Sequence, residues 1–169
     1  MRTLAFQQGA GRGADYLILL HTSAAPDVAE WKAYVDQVGR TMSTARGVLS
    51  VFVATDGGGP NAAQRKLLTE TFSRGPGDAL THVFTTSAFV RGIVTTFRWV
   101  ARAPAVAHVP RDFSAVCAAC ALDPAAVLSD LLAVQKRFAS VRIVEQIEHY
   151  YRHPKRSLGA GHDQGPSSK

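Results

Sequence analysis

The chain is short of the residues that would mark a secreted or membrane-bound protein. Two cysteines, Cys117 and Cys120, in 169 residues cannot build the disulfide framework on which small secreted domains rely. No apolar run reaches the ~18 residues of a membrane span. The first residues do not read as a signal peptide, because Arg2 is followed by a short mixed segment, then Gln7, Gln8 and a glycine turn. A cytoplasmic location without a membrane span is therefore expected. Nucleotide signatures are missing too. The triple glycine at Gly57-Gly58-Gly59 has neither the spacing of a Walker loop nor that of a dinucleotide fingerprint. No serine stands in a nucleophile-elbow setting.

What is present fits one ordinary folded domain. With 46% hydrophobic and 19% charged residues, the composition is globular rather than disordered, and the length suits one core better than two. The formal charge of +6 raises the question of an acidic partner. Part of it sits in the terminal segment at Arg152, Lys155, Arg156 and Lys169. No basic run is interleaved with aromatics as a binding platform requires, so nucleic acid is not expected as a partner.

In chain order, residues 3–7 and 15–22, separated by a glycine turn at 9–13, predict an opening hairpin whose second strand is apolar throughout and buried on both faces. Pro26-Asp27 then starts a helix. Its apolar face is Val28, Trp31, Val35, Val38 and Met42, recurring at helical spacing. A second strand–helix unit follows, with a strand at 47–55 and a helix at 61–72 whose inner face is Ala63, Leu67, Leu68 and Phe72. A strand at 80–85 leads to a helix at 88–102, capped by Thr86 or Ser87. That helix buries Val90, Ile93, Val94, Phe97 and Val100, and its other side carries Arg91, Arg98 and Arg102. After a short strand at 106–109, helices are predicted over 113–122 and 124–138, while 141–151 fits either a helix or an edge strand. The alternation argues a sheet with parallel strands, right-handed crossovers and covering helices. Residues 1–151 read as a single domain, with a core at about 3–122, a helical extension at about 123–151 and a disordered tail at 152–169.

A hairpin followed by strand–helix units, with a helix beginning just past Asp56-Gly57, resembles the STAS family, also described as the SpoIIAA-like fold of bacterial signalling domains. The resemblance rests on pattern and order in four segments: Tyr16 to Leu20, Val48 to Asp56, Val83 to Ser87 and Ala105 to Val109. It implies an α/β fold with a mixed, largely parallel sheet of four to five strands covered by helices, here with extra C-terminal helices. It also implies a non-enzymatic, cytoplasmic signalling or interaction domain that binds a protein partner. In that family a hydroxyl residue at the turn after the strand-end aspartate is phosphorylated. The corresponding turn here, Gly57-Gly58-Gly59-Pro60-Asn61, holds no Ser or Thr, so no phosphorylation switch is expected at this position.

The predicted site edge is the loop Asp56, Gly57, Gly58, Gly59 and Asn61 with the cap Thr86 and Ser87, flanked by Arg91 and Arg98. Glycines let backbone N–H groups approach an anion, and a helix start adds partial positive charge. The alternative to a protein partner is therefore a small anionic ligand, or an enzyme working at the same rim. Asp56 could orient His21 or His82 across neighbouring strand ends, although the histidines of the strands read as core or sheet-surface groups. Cys117 and Cys120 have redox-motif spacing but share a helical face with Phe113 and Val116, which makes them buried small hydrophobes. Without a second Cys/His pair at suitable spacing no metal is expected, and no cofactor is implied. Self-association through the C-terminal helices is a third reading.

Overall fold

The computed structural model describes residues 2–11, 14–75, 77–100 and 105–154, the side chains of 97–100 excepted. The predicted tail beyond residue 154, the side chain of Arg98 and all of Arg102 lie outside this set. Strands Leu4–Ala10 (β1), Asp15–His21 (β2), Leu49–Thr55 (β3), Ala79–Phe84 (β4) and Ala105–His108 (β5) form one sheet in the order β1-β2-β3-β4-β5. The first pair is antiparallel and the other three are parallel. The fold is thus α/β with a mixed, mostly parallel sheet.

Helices Val28–Thr44 (α1), Ala62–Arg74 (α2) and Ala88–Val100 (α3) are the crossovers between successive parallel strands. Right-handed crossovers between neighbouring strands put all three on one face of the sheet. Helices Phe113–Ala119 (α4), Pro124–Arg137 (α5) and Arg142–Arg152 (α6) cover the other. Two apolar cores result. Leu17, Leu19, Leu49 and Val51 meet Trp31, Tyr34, Val35 and Val38 of α1. Tyr16, Ile18, Leu20, Phe52 and Phe84 meet Phe113, Leu131, Val134, Val144 and Ile147 of the C-terminal layer. Because strand side chains alternate, every residue of β2 is buried, whichever way it points. No helix among the described residues is long and apolar enough to cross a membrane.

Several boundaries move for physical reasons. β1 runs on to Ala10, so the predicted turn at 9–13 starts later. Gly9 sits opposite Tyr16, where any Cβ would come within 2.3 Å of the tyrosine ring. β3 begins at Leu49 rather than 47, since Gly47 has φ 76° and Val48 is exposed. Val28 was expected on the inner face of α1 but is 72% exposed, one turn ahead of where the helix meets the sheet at Trp31.

The inner face of α2 is rotated from its expected position. Ala63 and Leu67 point outward, and Gln64 is buried. Asn61 and Gln64 form a reciprocal capping box. The Gln64 amide donates to the Pro26 carbonyl, and the Trp31 indole donates to the Gln64 carbonyl. These bonds draw Gln64 inward and leave Leu68 and Phe72 as the apolar side chains packed on the core.

The ambiguous 141–151 segment is helical. Ile143, Val144 and Ile147 form its buried stripe, and its start is capped from 86 residues away. Asp56 accepts hydrogen bonds from the Arg142 and Ile143 backbone N–H groups at 2.9 and 3.1 Å. A carboxylate at a helix N-terminus satisfies orphan donors and opposes the helix dipole. Asp56→Ala should therefore lower stability by about 1–2 kcal/mol in urea denaturation, while Asp56→Asn, which keeps an acceptor oxygen, should retain most of it.

Candidate functional site

On the α1–α3 face, α2 leans on α1 while α3 leans on the edge strand β5. The space between α2 and α3, above β3 and β4, is left open as a cavity of about 380 Å³, within the range of small-molecule sites. Its floor is Leu19, Val53 and Val83, its sides are Leu68 and Phe72 of α2 and Ile93 of α3, and the Gly57–Pro60 loop closes the end at the strand C-termini. Ligands in open α/β sheets bind at this end.

Two of the polar side chains in the lining carry an unpartnered atom. His21 and Thr81 both line the cavity, and His21 Nε2 and Thr81 Oγ1 are buried atoms that have no hydrogen-bond partner. His21 is 3% exposed and Thr81 7%. Leaving such a group unsatisfied costs about 1–3 kcal/mol. His21 stands level with Thr55, and Thr81 with Val51 four residues earlier on β3. At ~3.3 Å per residue, the two groups are separated by about 13 Å along the strands, with Val53 and Val83 between them.

The hydrogen-bond network assigns the His21 tautomer. The Thr55 hydroxyl donates to the Gly58 carbonyl at 3.1 Å and accepts from the Gly57 N–H at 3.2 Å. Its one proton is therefore committed, so the His21 Nδ1 contact with Thr55 Oγ1 at 3.4 Å needs Nδ1 to carry the hydrogen. Nε2 is then the unprotonated nitrogen, with a free lone pair, on a residue of the cavity wall. Burial holds the imidazole pKa down to about 4, so the ring is neutral at physiological pH.

The predicted site residues divide into three groups. Gly57, Gly58 and Gly59 line the cavity. Gly57, at φ 128°, occupies a conformation that side chains disfavour. A Cβ on Gly58 would come within 2.4 Å of the Thr22 and Ala24 carbonyls and 2.6 Å of His21, whereas one on Gly59 meets nothing. Asp56 and Asn61 are engaged as the caps of α6 and α2. Ser87 caps α3 by accepting from the Val90 N–H at 3.2 Å. The Thr86 carbonyl accepts from Arg91 at 3.0 Å, and Arg98 belongs to α3 without a described side chain. Asp56 does not orient His21, because its carboxylate faces α6 while Thr55 holds the imidazole. Sequence reasoning passed over Thr81 and read His21 as a core or sheet-surface group. The one available signal was a histidine and a threonine alternating with Leu19 and Val83 on strands that are otherwise apolar.

The opposite face carries a second polar feature. His82 Nδ1 lies 3.1 Å from His108 Nε2, and Cys120 Sγ lies 3.3 Å from His82 Nε2. Cys117 is fully buried, as expected, but Cys120 is half-buried beside a histidine. It is thus not a plain core residue. Burial holds His82 at about 4 and also lowers His108. Among the described residues no group of three or more His, Cys, Asp or Glu side chains is arranged to hold a metal ion. No family model, curated protein or solved structure matches the chain.

The depressed histidines set a pH dependence. A histidine whose folded pKa lies below its unfolded value near 6.5 binds fewer protons when folded. Its contribution is therefore present above pH 6.5 and is lost as pH falls toward 4. Unfolding free energy should drop between pH 6.5 and 4 with a slope approaching about 1.4 kcal/mol per pH unit for each of His21 and His82. Urea titrations at several pH values test this: His21→Phe should flatten the slope, and a wild-type profile without slope would contradict the assignment.

Proposed function

We propose that this domain binds an elongated, uncharged small molecule whose apolar body fills the α2–α3 cavity and whose hydroxyl or N–H group donates to His21 Nε2. The observation that carries the reading is the unpartnered Nε2 of His21, a residue in the wall of a largely apolar cavity. A ligand donor there removes a standing desolvation penalty, a gain that a plain hydrocarbon does not have. A neutral imidazole offers no charge to an anion. The one charged residue among those lining the cavity, Arg65, donates to the Pro60 carbonyl at 2.7 Å and so braces the loop. These facts favour an uncharged ligand over the anionic one expected from the glycines alone. Thr81, at the far end, supplies a second polar contact for a molecule long enough to reach it.

Trp31 lines the cavity and serves as the reporter. In a Trp99→Phe background it is the sole tryptophan. Titration with 1-octanol should change its emission and raise the melting temperature, with binding about 2–10-fold tighter than for the methyl ether of the same chain, the worth of one hydrogen bond. His21→Leu should abolish that preference while keeping the apolar contribution. Stronger binding of octanoate than of octanol would restore the anionic reading, and no response to any of the three would remove the cavity as a ligand site.

A second reading keeps the same rim for a protein partner, as the STAS-like resemblance implies. Phe89, two residues past Ser87 and 74% exposed at the cavity mouth, favours it, since exposed aromatic side chains anchor interfaces. The immobilised chain should capture a protein from extract that variants Phe89→Ser and Gly59→Asp lose. Gly59 suits this test better than Gly58 because a side chain there meets open space. Identical capture by all three chains would overturn the partner reading.

A further inference from the structure

On the sheet face away from the cavity, we infer that Cys120 is a nucleophilic thiol served by a two-histidine proton relay, Cys120–His82–His108, and that it forms mixed disulfides with low-molecular-weight disulfides. Three side chains from three elements converge in a line. His82 on β4 is buried and held between the rings of Phe52 and His108, with centroids 5.4 and 5.3 Å away. His108 on the edge strand β5 is half-buried. Cys120 is the residue that ends α4. Its N–H is spent on carbonyls of the last helical turn, and Leu122, buried just beyond it, anchors the chain.

The two contacts can run from Cys120 toward His108 or the reverse, and the relay takes the first direction. The thiol donates to His82 Nε2 at 3.3 Å, which requires the His82 proton to be on Nδ1, where it is donated to His108 Nε2 at 3.1 Å. A nucleophile within reach of a base that is itself oriented by a third group is the arrangement that activates thiols and hydroxyls. In the proposed step Cys120 loses its proton during attack. Because burial keeps His82 neutral, its lone pair is available to take that proton. The transferred charge moves outward to His108, where burial disfavours the protonated form and the Asp112 carboxylate offsets part of that cost. The other ionisable groups facing the cluster are Cys117 and, beyond it, Asp123. Desolvation holds Cys117 at about 12, with Cys120 and Asp123 adding to the effect. Cys117 is therefore an unreactive internal control.

The step balances with the disulfide as oxidant. Cys120 Sγ bonds to one sulfur of R–S–S–R as the S–S bond breaks. The thiol proton passes to His82 while the His82 Nδ1 proton passes to His108, and the departing thiolate recovers a proton as RSH. The products are Cys120–S–S–R and one reduced thiol.

The test uses the full chain with oxidised glutathione, following the mass gain and mapping the adduct. The adduct should map to Cys120 and not to Cys117. At pH 7 the rate should exceed that of the same chain unfolded in urea, and it should fall at least about tenfold in His82→Gln and by a smaller factor in His108→Gln. The differences should close above about pH 10, where thiols ionise without help. His108 is half-buried on an edge strand, so its variant decides the matter if His82→Gln does not fold. Reaction first at Cys117, a wild-type rate no faster than the unfolded chain, or His108→Gln reacting at the wild-type rate would each overturn the inference. A merely structural role for the histidines predicts no pH-dependent gap.

Discussion

The constraint on which everything else rests is the complete burial of β2. A strand packed on both faces sends alternate side chains into two separate helical layers, and its neighbours must follow the same parity. Odd-numbered residues of β2, β3 and β4 serve the α1–α3 layer, and even-numbered ones serve the α4–α6 layer. A one-residue slip of any of these strands would exchange the two sets. Thr81 and His82 are the clearest case. Adjacent on β4, they belong to different surroundings, one lining a ligand-sized cavity and the other beside the Cys120 sulfur.

The two layers are packed to different degrees, which explains where the open space lies. The C-terminal layer is braced through contacts distant in sequence: Asp56 caps α6, and the Tyr16 hydroxyl donates to Asp130 of α5 at 2.7 Å. These bonds draw α5 and α6 against the even face, where Phe52, Phe84 and Phe113 fill the interior with contacting rings. Among the described residues no such brace joins α2 to α3 in the crossover layer. α2 is tied to α1 through Gln64 and Trp31, α3 follows β5 outward, and the odd face between them is left with small or branched side chains, Val53, Thr81 and Val83. A void over such residues forfeits dispersion contacts, which a ligand of matching shape restores.

The architecture was largely legible because it is written in local patterns. The apolar runs of β2 and β3, the Asp123-Pro124 start of α5 and the repeat Val127, Leu128, Leu131 and Val134 each point to one element. What could not be read was whatever depends on partners far along the chain. The role of Asp56 needs α6, 86 residues later. Gln64 is polar and reads as outward until Pro26 and Trp31 are seen to claim it. The cavity depends on the tilt of α3 toward an edge strand, and no residue of α3 announces that tilt. Cys120 looked like core because helical spacing places it beside Cys117, yet the last turn of α4 turns it toward two histidines contributed by strands.

The glycine loop therefore owes its composition to geometry more than to ligand charge. As an anion cradle its N–H groups would need to be free and convergent, but Gly57 N–H is held by Thr55 and the Gln64 N–H of the following helix start is held by Asn61. What the loop does contribute is close contact. Gly58, without a Cβ, lets its backbone press against His21 while its carbonyl takes the only Thr55 proton. That commitment makes Thr55 an acceptor toward His21 Nδ1 and leaves Nε2 as the unprotonated nitrogen. The triple glycine thus acts at one remove, by deciding which nitrogen of a buried imidazole in the cavity wall carries the proton.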